Sequence, residues 1–277
     1  VVSKEKSAFT RPVTGVALAV ALWLLGVGVI VLGARGWLPP LASQHGAGID
    51  RMLTYLLVCT GALVLIGHLV LGYFVLRSAS QDRASTEVPS QRVQRVWSIA
   101  PAIVMTLVAE GGVLVVGLPV WAQLYGQGPP ADAVLVEVTG EQFTWNVRYP
   151  GKDGELGRTD PTLIGTDNGI GLDRDDPAAA DDIVDLAVMY LPVNRPVHIR
   201  LRSKDVLHSF YLPMHRIKQD AVPGMTIDVW FVPDREGEYE IACAELCGFG
   251  HYQMRGTLYV VSDEEFARWT NERSAGP

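Results

Sequence analysis

The chain has 277 residues, 48% of them hydrophobic, with a formal net charge of −7 and a positive mean hydropathy. It is too apolar for an ordinary soluble protein and too charged to be membrane throughout, so an anchor joined to an extramembrane domain is expected. Residues 1–125 carry nine Lys/Arg against five Asp/Glu and residues 126–277 carry fourteen against twenty-five, an acidic balance that repels nucleic acid and can steer basic protein partners.

Val13–Ala34 runs 22 residues without a charge, and Met52–Leu76 runs 25 without Asp, Glu, Lys or Arg. At 1.5 Å per residue either is long enough to cross about 30 Å of hydrocarbon. A third run, Trp97–Tyr125, is interrupted only by Glu110 and has Trp97 at one end and Trp121 and Tyr125 at the other, where membrane interfaces favour aromatics. A basic start before an apolar core also fits a leader. The core is longer than a leader's, however, and Leu32-Gly33-Ala34 is a poor small-x-small cleavage site, so a retained helix is expected. Lys4, Lys6 and Arg11 before the first run, and Arg77, Arg83, Arg92 and Arg95 between the second and third, place both stretches in the cytoplasm. Residues 126–277 then lie outside, on the periplasmic face in a bacterium.

That outer part reads as β-structure. Val134–Thr139, Gln142–Tyr149, Val197–Leu201, Val206–Leu212, Thr226–Val232, Tyr239–Cys243 and Thr257–Val261 are short, rich in β-branched or aromatic residues, and separated by Gly, Pro and Asp. Seven such strands predict a sandwich or small barrel. Ser262-Asp-Glu-Glu265 is a capping box that opens a short C-terminal helix through about Asn271.

Three cysteines cannot build a disulfide framework, and Cys59, inside an apolar run, reads as a small core residue. Cys243 and Cys247 fall in "CAELCGFGHYQM" with Glu245, His251 and Met254. A disulfide switch would leave the histidine and methionine unexplained. A structural zinc knot would want a fourth nitrogen or thiolate, for which a thioether is a poor substitute. Thiolate, imidazole and thioether together suit copper that cycles between two oxidation states. Two thiolates on one copper would hold it oxidised, whereas two thiolates shared between two coppers remove that objection. A second histidine is then required, and the candidates are His208, leading into a strand, and His215, in a loop beside Arg216 where a surface position is expected.

The stretch "DVLHSFYLPMHRIKQDAVPG", the 35-residue gap from His208 to Cys243, and "CAELCGFGHYQM" resemble subunit II of the haem-copper respiratory oxidases, the carrier of the dinuclear copper A centre. The resemblance extends to "GEQFTWNVRYPG" and "VWSIAPAI" and covers roughly residues 52–262. It implies a membrane-anchored all-β protein with a cupredoxin-like β-barrel or sandwich at 126–277. Cys243 and Cys247 would bridge two copper ions, His208 and His251 would each hold one, Met254 would be a weak ligand, and Glu245 would give its backbone carbonyl. The Glu245 side chain would reach a magnesium or manganese ion shared with subunit I, and Asp205 and Asp220 would support the ligands from behind.

The implied function is electron input to a cytochrome c oxidase: cytochrome c or a similar small donor reduces copper A, which passes electrons to haem in subunit I for oxygen reduction. The chain lacks Cys-x-x-Cys-His, so its donor is a separate protein. The family often has Trp where Phe143 stands, leaving Phe143 or Trp145 to admit the electron, or else to pack a strand against the copper loop. Gln94 replaces a usual Glu associated with proton uptake; Glu87 is in the same loop. Glu110 pairs either with His68 or with another subunit, or is a neutral acid in a helix interface. The acidic run Asp173–Asp185 is either a docking surface for basic cytochrome c or simply solvated. Two other readings stand beside this one: the copper A subunit of a nitric oxide reductase of the same superfamily, and a Cys-x3-Cys copper chaperone.

Overall fold

The computed structural model describes residues 2–79 and 88–274, with side chains from residue 13 onward. Arg83 and Glu87, and the side chains of Lys4, Lys6 and Arg11, therefore lie outside the described part. Two compact units form, one from residues 1–38 and 50–118, the other from 39–49 and 119–277.

The first unit is helical. Helix α1 covers Val2–Gly33, α2 covers Gly46–Ala79, and the third apolar run is α3 (Gln91–Met105) continued by α4 (Gly111–Trp121). Val13–Gly33, Gly46–Ala79 and Gln91–Gly126 are each long and apolar enough to span a membrane. With lipid offering no hydrophobic drive between helices, close backbone approach has to hold them together. Accordingly Gly72 lies under the Trp23 indole and Gly112 under the Tyr55 ring, where any Cβ would overlap the aromatic atoms. Trp23 Nε1 also donates to the Leu69 carbonyl at 3.3 Å.

The second unit is a sandwich of two five-stranded sheets. Its strands are β1 (Val134–Glu141), β2 (Thr144–Tyr149), β3 (Ile183–Leu186), β4 (Val188–Pro192), β5 (Val197–Ser203), β6 (His208–Leu212), β7 (Ile217–Ala221), β8 (Ile227–Phe231), β9 (Gly237–Cys243) and β10 (Arg255–Val261). One sheet has the order β3-β2-β1-β5-β8, the other β4-β10-β9-β6-β7. Pairs β1–β5 and β4–β10 are parallel and the rest antiparallel. Alternate residues of both sheets meet in a core of Val136, Val138, Val147, Ile199, Leu201, Phe210, Ile241 and Leu258, all fully buried.

Strand β2 is buried on both faces because the connection 150–182 folds over its outer side. Arg148 on that side donates to Glu137 (2.7 Å), Asp182 (3.1 Å) and the Gly157 carbonyl (2.7 Å). Helix α5 (Asp263–Arg273) closes the end of the domain, its N-terminus capped by the Ser262 hydroxyl, which accepts from Glu265 N–H at 3.2 Å. Phe266 is buried on this helix, and the Trp269 ring lies 4.9 Å from that of Tyr149 and stacks at 4.8 Å on Tyr190.

Residues 39–49, the link after α1 together with the first turn of α2, belong to the β-unit. Ala42 exchanges backbone hydrogen bonds with Met214 (2.8 Å) and Asp234 (3.2 Å), Gln44 N–H reaches the Val232 carbonyl (3.1 Å), and the Ser43 hydroxyl donates to the His215 carbonyl (2.7 Å). Ala42, Ser43 and His45 are buried there.

Candidate metal centre

Neighbouring strands supply the site. His208 opens β6 and Cys243 ends β9; these strands pair at Phe210 and Cys243. The loop 244–254 leaves β9 and returns into β10, and it is closed at its base by Cys243 N–H to the Met254 carbonyl (3.2 Å) and Ala244 N–H to the Ser209 carbonyl (2.9 Å). A short excursion tied at both ends has little room to wander, so the side chains it carries converge.

They converge on one point. One ligand atom each of His208, Cys243 and Cys247 lies within 4.8 Å of the other two. The Sγ atoms of Cys243 and Cys247 are 3.9 Å apart; Cys247 Sγ is 3.5 Å from His251 Nδ1 and 3.7 Å from Met254 Sδ, and Cys243 Sγ is 3.2 Å from the Glu245 carbonyl oxygen. The structure thus gathers all six residues expected from the sequence around the two sulfurs. Burial, followed by the adjacent Cys243 thiol, pushes the Cys247 thiol up to about 11.

The His208 ring is fully buried and divided in role. Nε2 donates to Asp205 Oδ1 at 2.8 Å, while Nδ1 is buried with no hydrogen-bond partner. A buried nitrogen lone pair without a partner is costly, and this ring has one nitrogen within 4.8 Å of both thiols. That orphan acceptor, beside two thiols, a second imidazole and a thioether, is a donor set that fits copper. Burial works against the Asp205 carboxylate, but hydrogen bonds from His208, from Gln142 N–H (2.7 Å) and from Val206 N–H (2.7 Å) hold it below the usual range. Asp220 lies opposite Ser209 in the β6–β7 register and pairs with Lys218 at 3.3 Å, one residue removed from the cluster.

The turn between β1 and β2 supports the site from the other sheet. Gln142 bonds Asp205 through its backbone and the Cys247 carbonyl through Nε2 (2.6 Å). Phe143, about one-third exposed, lies on the bare backbone of the loop: a Cβ on Gly250 would sit 2.5 Å from its ring. Trp145 is wholly buried, 6.0 Å from the His208 ring and 5.5 Å from Phe210. Gly140 makes this packing possible, since a Cβ there would approach His208 Cδ2 to 2.9 Å and the Trp145 ring to 3.0 Å. The support given by Gln142 and Gly140 is not signalled by side-chain chemistry, although both residues stand inside "GEQFTW".

Other expectations resolve differently from the clustering of these six residues. His215 is not at the surface: it is fully buried, with both ring nitrogens unpartnered, edge-on to Tyr239 (4.7 Å) and Phe231 (5.5 Å). The reason is the 39–49 segment, which covers the loop that carries it. His68 does not meet Glu110; its Nδ1 bonds the Val64 carbonyl of its own helix at 2.8 Å. Gln94 turns back to the helix start and donates to the Pro89 carbonyl. Within Asp173–Asp185 the carboxylates are largely engaged at home: Asp173 pairs with Arg158, Asp176 accepts from Arg158 N–H, Asp181 from Lys152 N–H, and Asp185 pairs with Arg273.

Fold and site together define a membrane-anchored, cupredoxin-like protein with a thiolate, imidazole and thioether cluster. Residues 134–261 match the family described as Cytochrome C oxidase subunit II, periplasmic domain. The chain is 36% identical to the alternative cytochrome c oxidase subunit 2 of Bradyrhizobium diazoefficiens over 260 residues, covering 93% of this chain and 92% of that relative. It is 31% identical to cytochrome c oxidase subunit 2 of Cereibacter sphaeroides, covering 86% and 80%. Among solved structures it is similar to the periplasmic domain of subunit II of cytochrome oxidase of Bradyrhizobium japonicum, with 30% identity, 53% of this chain and 96% of that one covered, and a TM-score of 0.39. The chain belongs to the cytochrome c oxidase subunit II family, whose members are parts of an oxidoreductase complex.

Proposed function

We propose that this chain is the electron-accepting subunit of a cytochrome c oxidase of a bacterial cytoplasmic membrane, with residues 126–277 on the periplasmic face. His208, Cys243, Cys247, His251, Met254 and the Glu245 carbonyl would hold two copper ions. Bound there, the coppers supply one-electron transfer between cytochrome c, or a similar small donor, and haem in subunit I.

The observation that carries this reading is the His208 ring. Asp205 holds Nε2 and leaves Nδ1 buried and otherwise unanswered, in a ring with one nitrogen within 4.8 Å of both thiols. Gln142 joins the Asp205 loop to the Cys247 loop, so the donor atoms keep their places when charge arrives. A frame that moves little on charge transfer is what fast electron exchange at low driving force needs.

Phe143 is the better of the two aromatics for electron admission, because Trp145 has no surface to offer a donor. Trp145 serves from behind, wedging the His208 ring. No described side chain pairs with the Glu245 carboxylate, which leaves it available for a magnesium or manganese ion shared with subunit I.

The test is electron paramagnetic resonance of the copper-loaded full chain in detergent. Two coppers per chain and a seven-line hyperfine pattern are expected; one copper with a four-line pattern would overturn the assignment.

A further inference from the structure

The turn between β1 and β2 grips the two arms of the candidate centre unequally. One arm is Asp205 with His208. Lys204 N–H donates to the Gly140 carbonyl at 2.9 Å and Gln142 N–H to Asp205 Oδ2 at 2.7 Å, so backbone donors pin this arm to the turn. The other arm is Cys247 with His251, whose Sγ and Nδ1 are 3.5 Å apart. Gln142 Nε2 donates to the Cys247 carbonyl at 2.6 Å, and among the described residues this is the one hydrogen bond from the loop 244–254 to the sheet that holds β1.

Position 248 makes that reach possible. Gly248 has φ of +130°, a conformation that residues with a Cβ rarely adopt, and a Cβ there would lie 2.7 Å from Gln142 Nε2 and 3.2 Å from the Phe143 ring. Amide and glycine are a matched pair. The bare backbone at 248 admits the amide, and the amide fixes the peptide plane that carries the Cys247 carbonyl. A fixed plane restricts where the Cys247 side chain can point. Groups that orient metal ligands from behind change affinity or activity about 10–100-fold when removed.

We propose that the Gln142 carboxamide is a positioning residue of the copper centre: through the Cys247 carbonyl it fixes the Cys247–His251 arm relative to the His208 arm, and so governs copper retention and the reduction potential. This rests on the copper reading above.

The test uses the full chain in detergent, loaded with copper, as wild type, Gln142→Met, Gly248→Ala, the double variant and Lys204→Met. Lys204 is the control, because its side chain pairs with Glu141 on the same turn and, among the described residues, makes no hydrogen bond to the loop 244–254. Copper release to a chelator, the hyperfine pattern and the midpoint potential at full copper occupancy are read on each. Gln142→Met is expected to release copper about tenfold faster or more, with an altered pattern and a displaced potential. Lys204→Met is expected to stay within about twofold of wild type and to keep its pattern. Gly248→Ala displaces the amide and is expected to do at least as much as Gln142→Met; adding Gln142→Met to it changes release by no more than about twofold, because both act through one contact.

An unchanged pattern and potential in Gln142→Met, or effects that multiply in the double variant, overturn the proposal. So does a Lys204→Met chain that matches Gln142→Met, since the whole turn and not the amide would then be acting. If Gln142→Met or Gly248→Ala is not recovered folded, Gln142→Glu decides: the same shape without a donor at neutral pH is expected to show the altered pattern and faster release, and wild-type behaviour overturns the proposal. A wild-type chain without two coppers and a seven-line pattern overturns the copper reading instead, so the two failures are distinguishable.

Discussion

Single atoms decide how the candidate centre is held. Gly140 has no side chain because His208 and Trp145 occupy its space. Gly140→Ala forces them apart, and the expected outcome is a loss of about 1–3 kcal/mol in denaturant unfolding, the usual cost of overpacking, with an altered copper spectrum. His45 and His215 pose a different problem. Burial lowers both to about 4 from an ordinary 6.5, with Asp234 opposing the shift at His45, and with His45 and Arg216 adding to it at His215. The unfolded chain therefore takes up protons that the folded one refuses, so stability is full above pH 6.5 and falls as pH drops toward 4. The loss is up to about 3 kcal/mol per histidine. Asp182 works the other way, since burial raises its carboxyl to about 6 against the pull of Arg148, but one carboxyl does not offset two imidazoles. His215→Phe suits the aromatic pocket and removes two unpartnered nitrogens; urea midpoints measured from about pH 7.5 to about pH 4.5 are expected to show a flatter acid limb than wild type.

Elements show what the sequence could and could not announce. The three apolar runs are long enough to be read by length alone, and the N-cap at Ser262 is announced by its own side chain. Ser262→Ala is expected to lower stability by about 1 kcal/mol in thermal unfolding, the ordinary cost of a lost cap. All seven predicted strands have counterparts, whereas β3, β4 and β7 are additions that the pattern of residues does not announce. Strand β7 is "IKQDA", whose polar centre has little strand character, and it forms because β6 offers it a ladder. Strand β3 lies at the end of an acidic stretch that reads as a loop; Val147 pairs with Asp185, and Arg273 of α5 answers that carboxylate. The six residues of the candidate centre are legible because their chemistry is unusual and five of them stand within twelve positions. Gln142 and Gly140 are harder to read, since their work is done by an amide and by an absent side chain.

At the scale of the whole molecule, a buried ion cluster holds the long 150–182 connection to the sandwich. Arg148, Glu137 and Asp182 have nearly inaccessible side chains. Removing the arginine alone leaves Asp182 without a cation and Glu137 with only Arg202 at 3.6 Å, so Arg148→Met is expected to cost about 3–5 kcal/mol, far more than a surface pair. Limited proteolysis of that variant is expected to cut first between residues 150 and 182. The arrangement is illegible in sequence, because Arg148 and Glu137 look like outward residues of ordinary strands. Only the packing of the later connection shows that they face inward onto something.

The short segment 39–49 matters for biosynthesis. It contributes Ala42, Ser43 and His45 to the interior of a domain whose other residues begin at 119. A ribosome delivers it some seventy residues ahead of that domain, on a hairpin between two helices. The β-sandwich thus completes its packing only on a template laid down earlier, and a soluble fragment begun at residue 126 would leave the Phe231 side of its interior open to water.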